Sequence, residues 1–211
     1  TDISGSMLAE DFSPNRLEAS KDVAANFIRK RPNDRIGLVV FAGQTYTLCP
    51  LTHDKTTLLN LLQEADVGMI SESSTAIGYG IASAVNRLKT SETASKVIIL
   101  LTDGENNAGN IAPLQAADIA AMFGIRVYTI GVGTRGMAKM PVKMVNGIFL
   151  YDYVKVNIDE KTLKAVAQTA GGKYFRATSK SELENIYNEI EKLEKSKMTI
   201  QYLQENKLLY H

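Results

Sequence analysis

Two kinds of hydrophobic pattern alternate along the chain. The first is a short, mostly apolar run, continuous at residues 36–41 (Ile-Gly-Leu-Val-Val-Phe) and repeated with a few polar residues at 95–101 and 126–132. Runs of this length without polar alternation are expected of strands buried on both faces. The second is an apolar residue every three or four positions, the mark of a helix with one buried side. It occurs over residues 14–31, with Leu17, Val23, Ala24, Phe27 and Ile28 on the apolar side and Pro14 in the first turn. It returns from residue 51 onward with Leu58, Leu59, Leu61 and Leu62, and again over 77–88. Over 113–123 it places Ala116, Ala117, Ile119, Ala120 and Phe123 inward, and it recurs over 159–169 and 179–195. Residues 44–48 and 173–177 read as shorter strands, and 198–203 as a final edge strand. Strands alternating with helices predict a mostly parallel sheet with helices on both faces.

One segment departs from this alternation. Asn146-Gly147 separates residues 142–145 from 148–151, the strongest short-range signal for a β-hairpin. Residues 139–156 are therefore expected to form a hairpin inserted into the main fold.

Composition narrows the chemistry. The 211 residues are 45% hydrophobic and 22% charged with a formal net charge of +1, which suits one globular domain and gives no electrostatic reason for nucleic-acid binding. A single cysteine, Cys49, excludes an internal disulfide and a cysteine-clustered zinc site, and two histidines leave little for a histidine-based metal site or triad. Cys49 reads as a buried structural thiol and His53 as an exposed loop or cap residue.

What remains is a set of oxygen donors. In Asp2-Ile3-Ser4-Gly5-Ser6 a carboxylate and two hydroxyls alternate, so their side chains can point to one spot. Asp, Ser and Gly are also turn and cap residues, and Ser6 or Ser13 can equally cap the helix that follows. Thr75 lies in a Ser- and Gly-rich loop before a helix, and Asp103 follows the apolar run 95–101 within Thr102-Asp103-Gly104. In a parallel α/β sheet the loops at the carboxyl ends of the strands share one edge, where Asp2, Ser4, Ser6, Thr75 and Asp103 can meet. Such all-oxygen donors suit a hard divalent cation, Mg²⁺ first, with Mn²⁺ or Ca²⁺ as alternatives. Glu105, Asn106 and Asn107 either rim that site or cap the next helix. Lys139, Lys143, Tyr151 and Tyr153 either form a binding surface or decorate a solvated ribbon.

The order Asp2-x-Ser4-x-Ser6, Thr75, Thr102-Asp103-Gly104 resembles the metal-ion-dependent adhesion site of von Willebrand factor A domains. The segments 100–107, 130–133 and 171–177 are similar to those of bacterial BatA-type, aerotolerance-related membrane proteins. The resemblance implies a Rossmann-like α/β fold over residues 1–211 as a single domain. It implies direct ligation by Ser4 and Ser6, ligation by Thr75 directly or through water, and Asp2 and Asp103 acting largely through water and hydrogen bonds, or directly in one state. A partner protein's Glu or Asp would complete the coordination, and other components of a membrane complex are the natural partners. It further implies a domain facing the periplasm from the bacterial inner membrane, excised from a longer anchored chain, and no enzymatic role. Family members carry an apolar strand before the first Asp; here that strand is expected to be truncated. Two alternatives stand beside the adhesion reading. One is a structural A domain with a non-functional metal site; the other is a metal-dependent phosphohydrolase using Asp2 as nucleophile.

Overall fold

The computed structural model describes residues 1–71 and 74–209, with side chains through residue 198. The apolar runs become strands: β1 (Ile36–Phe41), β3 (Lys96–Thr102) and β4 (Ile125–Val132). The helical patterns become α1 (Arg16–Arg29), α2 (Lys55–Glu64), α3 (Ile77–Leu88), α4 (Pro113–Met122), α5 (Glu160–Thr169) and α6 (Lys180–Leu209). β2 (Thr45–Thr52), β7 (Tyr174–Ala177) and the two arms of the hairpin, β5 (Met137–Val145) and β6 (Ile148–Lys155), complete the strands.

The strands form three ladders where one mostly parallel sheet was expected. β3, β4 and β7 are parallel in the order β3-β4-β7, whereas β1–β2 and β5–β6 are antiparallel pairs. Residues 1–3 lie between the first two of these groups. Asp2 forms a parallel bridge with Phe41, the Ile3 amide donates to the Phe41 carbonyl at 2.8 Å, and the Asp2 amide donates to Leu101 at 2.9 Å. So short a contact joins β1 to β3 without extending the ladder between them. It fixes Asp2 at the carboxyl ends of both strands.

β3 and β4 show why their sequences lack polar alternation. Ile98, Leu100, Ile125 and Val127 pack with α3, α4 and α5 on one face. Leu101, Tyr128, Ile130 and Val132 pack with α1 and α6 on the other. Both faces are buried, so the middle of each strand is mostly apolar, with polar residues such as Lys96, Thr102, Arg126 and Thr129 the exceptions.

Several local expectations shift. The cap of α1 is Asn15, whose side chain accepts from the Glu18 amide, not Ser6 or Ser13, and Pro14 precedes the helix. Leu51 and Thr52 end β2, and α2 begins after Asp54, which caps it. Ile119 of α4 and Phe123, which caps its end, are exposed, because Pro113, Ala116, Ala117 and Ala120 form the buried side of the helix. Residues 198–203 continue α6 and form no strand. The hairpin is as expected, with Asn146 and Gly147 both at positive φ (50° and 79°), the conformation a two-residue turn of this kind requires.

Candidate functional site

The site grows from the ends of β1 and β3. After Ile3 the chain turns into a 3₁₀ helix (Gly5–Leu8), entered through an extended Ser4. This tight turn brings the Ser4 and Ser6 hydroxyl oxygens to 3.1 Å. Ser6 then donates to Asp103 Oδ1 at 2.7 Å. Asp2 accepts from the Ser4 amide at 2.8 Å and from the Thr102 hydroxyl at 2.6 Å. Thr75 sits beside Gly104, whose Cβ position lies 3.5 Å from the Thr75 hydroxyl. The structure therefore brings the five residues from three distant segments into one neighbourhood, and four of them, Asp2, Ser4, Thr75 and Asp103, are buried.

The Thr75 loop is held from two sides. The Ala76 amide donates to the Ala42 carbonyl just past β1 at 2.7 Å. The Thr75 amide donates to Asn107 Oδ1 at 2.7 Å, and the Asn107 and Ala108 amides donate back to the Thr75 carbonyl. Asn106 Oδ1 accepts from the Gly78 amide at 3.4 Å. Asn106 and Asn107 thus secure the entry of α3, the helix behind them in sequence; they do not cap α4, which starts at Ala112–Pro113. Asn107→Ala leaves the Thr75 amide without that acceptor. The expected loss is about 1 kcal/mol, read as a lower urea midpoint together with faster hydrogen exchange at Thr75.

Residues that the sequence reading passed over complete the site. Arg16 has no solvent exposure. Its Nη1 donates to Asp103 Oδ2 at 2.7 Å, while Nε and Nη2 grip both oxygens of Asp11 at 2.7 Å each. Asp11 also accepts from the Thr134 amide at 2.8 Å. Gly133, at φ +147°, leaves the space the guanidinium needs, since a Cβ there would stand 3.0 Å from Arg16 Nη2. Arg16 therefore joins the turn after Ser6, the Asp103 loop and the loop that leads to the hairpin.

The electrostatics follow from burial. Desolvation, and then the neighbouring Asp2 charge, push the Asp103 carboxyl above its ordinary value although Arg16 and Ser6 pull it down. Burial likewise raises Asp2 against its hydrogen bonds from Thr102 and Ser4. For Asp11 burial acts in the same direction, but the bonds from Arg16 and Thr134 outweigh it and hold the carboxyl low. Two buried carboxylates, both raised by desolvation and one of them further by its neighbour's charge, favour an added positive charge beside them.

The donor chemistry can be compared with a divalent ion. Among the described residues no three His, Cys, Asp or Glu side chains gather as a metal-binding group. The expected metal centre therefore lacks a carboxylate-rich cluster, and its donors are mainly hydroxyls. A 3.1 Å separation of Ser4 and Ser6 oxygens matches adjacent ligands of an octahedral Mg²⁺, about 3.0 Å apart for bonds near 2.1 Å. All four oxygens of Asp2 and Asp103 already accept protein hydrogen bonds, which suits contact through water. Asp2 is buried, and each of its oxygens accepts one protein hydrogen bond, which gives the phosphohydrolase alternative no support.

A parallel sheet flanked by helices, with this set of side chains at the carboxyl ends of its strands, defines an A-type domain. The chain belongs to the von Willebrand factor type A domain family, whose model matches residues 1–189. Within it, the chain is homologous to the bacterial aerotolerance-related membrane proteins. It is similar to the solved BatB of Bacteroides thetaiotaomicron, with 34% identity, a TM-score of 0.78, and 92% of this chain and 96% of that one covered. An aerotolerance-related membrane protein from Bacteroides fragilis matches at 30% identity and a TM-score of 0.75, covering 90% of this chain and 94% of that one. An uncharacterized protein of Borreliella burgdorferi is 31% identical over 210 residues, 99% of this chain and 61% of that protein. The chain thus spans about 60% of the length of the curated relatives it matches. The family is one of protein-interaction domains, not of enzymes. No helix among the described residues is long and apolar enough to cross a membrane.

Proposed function

We propose that this domain captures an acidic residue of a partner protein through a divalent cation held at the Asp2–Ser6, Thr75 and Asp103 loops. The observation that carries this reading is the chain Ser4–Ser6–Asp103, with two hydroxyls at octahedral spacing and two buried carboxylates, both raised by desolvation, behind them. Ser4 and Ser6 would hold the ion directly, with Thr75 as a further donor. Asp2 and Asp103, their oxygens already engaged, would orient bound water. When bound, the cation supplies an electrophilic centre for an external carboxylate. The rest of the work is done by this chain's own groups. Thr102 and the Ser4 amide fix the Asp2 carboxylate, while Asn107 fixes Thr75.

Homology to a membrane protein of Bacteroides fragilis supports a domain that faces the periplasm from a longer anchored chain, where other components of the same complex can supply the acidic residue. The hairpin rises beside the site, tied to it where the Glu10 amide donates to the Lys139 carbonyl and Lys139 pairs with Glu10. Lys139 also lies over the Tyr151 ring. Partner contact then extends from the cation onto this face.

One observation favours a second reading, a structural A domain whose site is closed by its own hydrogen bonds. Every oxygen of Asp2 and Asp103 is satisfied from within the protein, and the Arg16 charge already faces Asp103. Calorimetric titration of the chain with Mg²⁺ and Mn²⁺ separates the two. The cation reading expects saturable binding that falls at least tenfold in Ser4→Ala and Ser6→Ala. Absence of binding, or binding indifferent to both substitutions, favours the closed structural site.

A further inference from the structure

We infer that Arg16 is the site's resident counter-ion. It competes with a divalent cation for Asp103, and so it is a positioning residue that sets how tightly this site holds metal. The inference rests on the cation reading above, and its test separates the two.

The geometry is specific. A guanidinium cannot lose its charge at accessible pH, so this is a permanent positive group, fully buried and 2.7 Å from Asp103 Oδ2. Two further donors, Nε and Nη2, are committed to Asp11 in a bidentate pair, the strong geometry for a guanidinium and a carboxylate. Asp11 is anchored in turn by the Thr134 amide. Gly133 borders the guanidinium, where any Cβ would crowd it. The charge therefore cannot swing away when a cation arrives.

Two consequences follow. Asp103 has one oxygen bound to Arg16 and the other to Ser6, so direct ligation would require breaking a buried ion pair, and the carboxylate stays in an outer, water-mediated role. Arg16 also cancels part of the negative charge at the site. A cation held mostly by neutral hydroxyls keeps more of its own charge, which suits capture of an external carboxylate over tight burial of the ion. Asp11 moderates this, because the Arg16 charge is shared between Asp11 and Asp103.

The test is calorimetric titration of Mg²⁺ into the whole chain and two variants that change charge in opposite directions. Arg16→Gln is expected to bind Mg²⁺ at least tenfold more tightly than the unchanged chain. Asp11→Asn, which leaves the Arg16 charge to Asp103 alone, is expected to bind at least threefold more weakly. A merely structural role would weaken both. Equal or weaker binding by a folded Arg16→Gln overturns the inference. Should that variant not fold, Arg16→Met, which keeps the apolar stem and removes the charge, is read by the same criterion, and unchanged or tighter binding by Asp11→Asn also overturns the inference. If the unchanged chain binds no Mg²⁺ but Arg16→Gln does, the counter-ion role stands and the native cation function fails. If no form binds, both fail.

Discussion

Replacing Gly78 with alanine is expected to lower the melting temperature by about 6–12 °C. Gly78 opens α3 directly against the segment before α4, and a Cβ there would stand 1.9 Å from the Ile111 carbonyl oxygen and 2.8 Å from its carbon. Both obstacles are backbone, so no side-chain rotation relieves them. The two elements must separate. A cost of about 3 kcal/mol, at the upper end for overpacking, converts to that temperature shift for a domain of this size. The damage should reach the site as well, because Thr75 and Ala76 form the entry of the same helix and Asn106 bonds to the Gly78 amide. Differential scanning calorimetry gives the stability, and the Mg²⁺ titration gives the effect on the site. A shift below 2 °C would mean that α3 and the residue 111 segment are not in the contact described.

The second large effect is expected at the opposite end of the sheet. Glu194 of α6 is buried, and its carboxylate accepts from Arg126 Nε at 2.9 Å, the Tyr128 hydroxyl at 2.6 Å and the Ser95 hydroxyl at 3.0 Å, with a second bond from Arg126. Burial opposes its charge, but the bonds from Arg126 and Tyr128 together outweigh burial and hold its pKa below the ordinary value of about 4.5. Stability from such a group is fully present above the unfolded value and is lost as pH falls through the lower, folded value. Glu194→Gln should therefore be about 2–3 kcal/mol less stable near pH 7, less than for a fully enclosed pair because Arg126 remains partly exposed. The difference should shrink as pH falls below about 4.5, where the unfolded carboxylate takes up its proton first, until the native one protonates as well. Urea unfolding of both chains across pH 3–7 measures this, and curves that stay parallel into acid would refute it.

These sites also show what a sequence can reveal. β3 and β4 were legible because burial on both faces leaves few polar positions to confuse the pattern. The hairpin was legible because Asn146-Gly147 fits a backbone with two positive φ angles. The meeting of Asp2, Ser4, Ser6, Thr75 and Asp103 was legible because each sits just past a strand or before a helix, where a parallel sheet gathers its loops. Arg16 was not. An arginine in the first turn of an amphipathic helix reads as solvated, and its partner Asp103 lies 87 residues away. Glu194 hid in the same way, inside a charged helix whose surface pairs such as Lys195–Glu191 look alike in sequence. Residues 198–203 misled through β-branched and aromatic content, while α6 simply continues. Ile119 and Phe123 misled because an apolar side chain need not face the core, and α4 buries its alanines.

The central claim is that a cation at this site keeps a coordination position open for a partner's carboxylate. Water proton relaxation in a Mn²⁺-loaded sample tests it most directly, with a glutamate-containing peptide and its glutamine counterpart as probes. The account predicts that the glutamate peptide lowers the relaxation enhancement as its carboxylate displaces a metal-bound water, while the glutamine peptide leaves it unchanged. An enhancement indifferent to both peptides, or equal for the two, would contradict it.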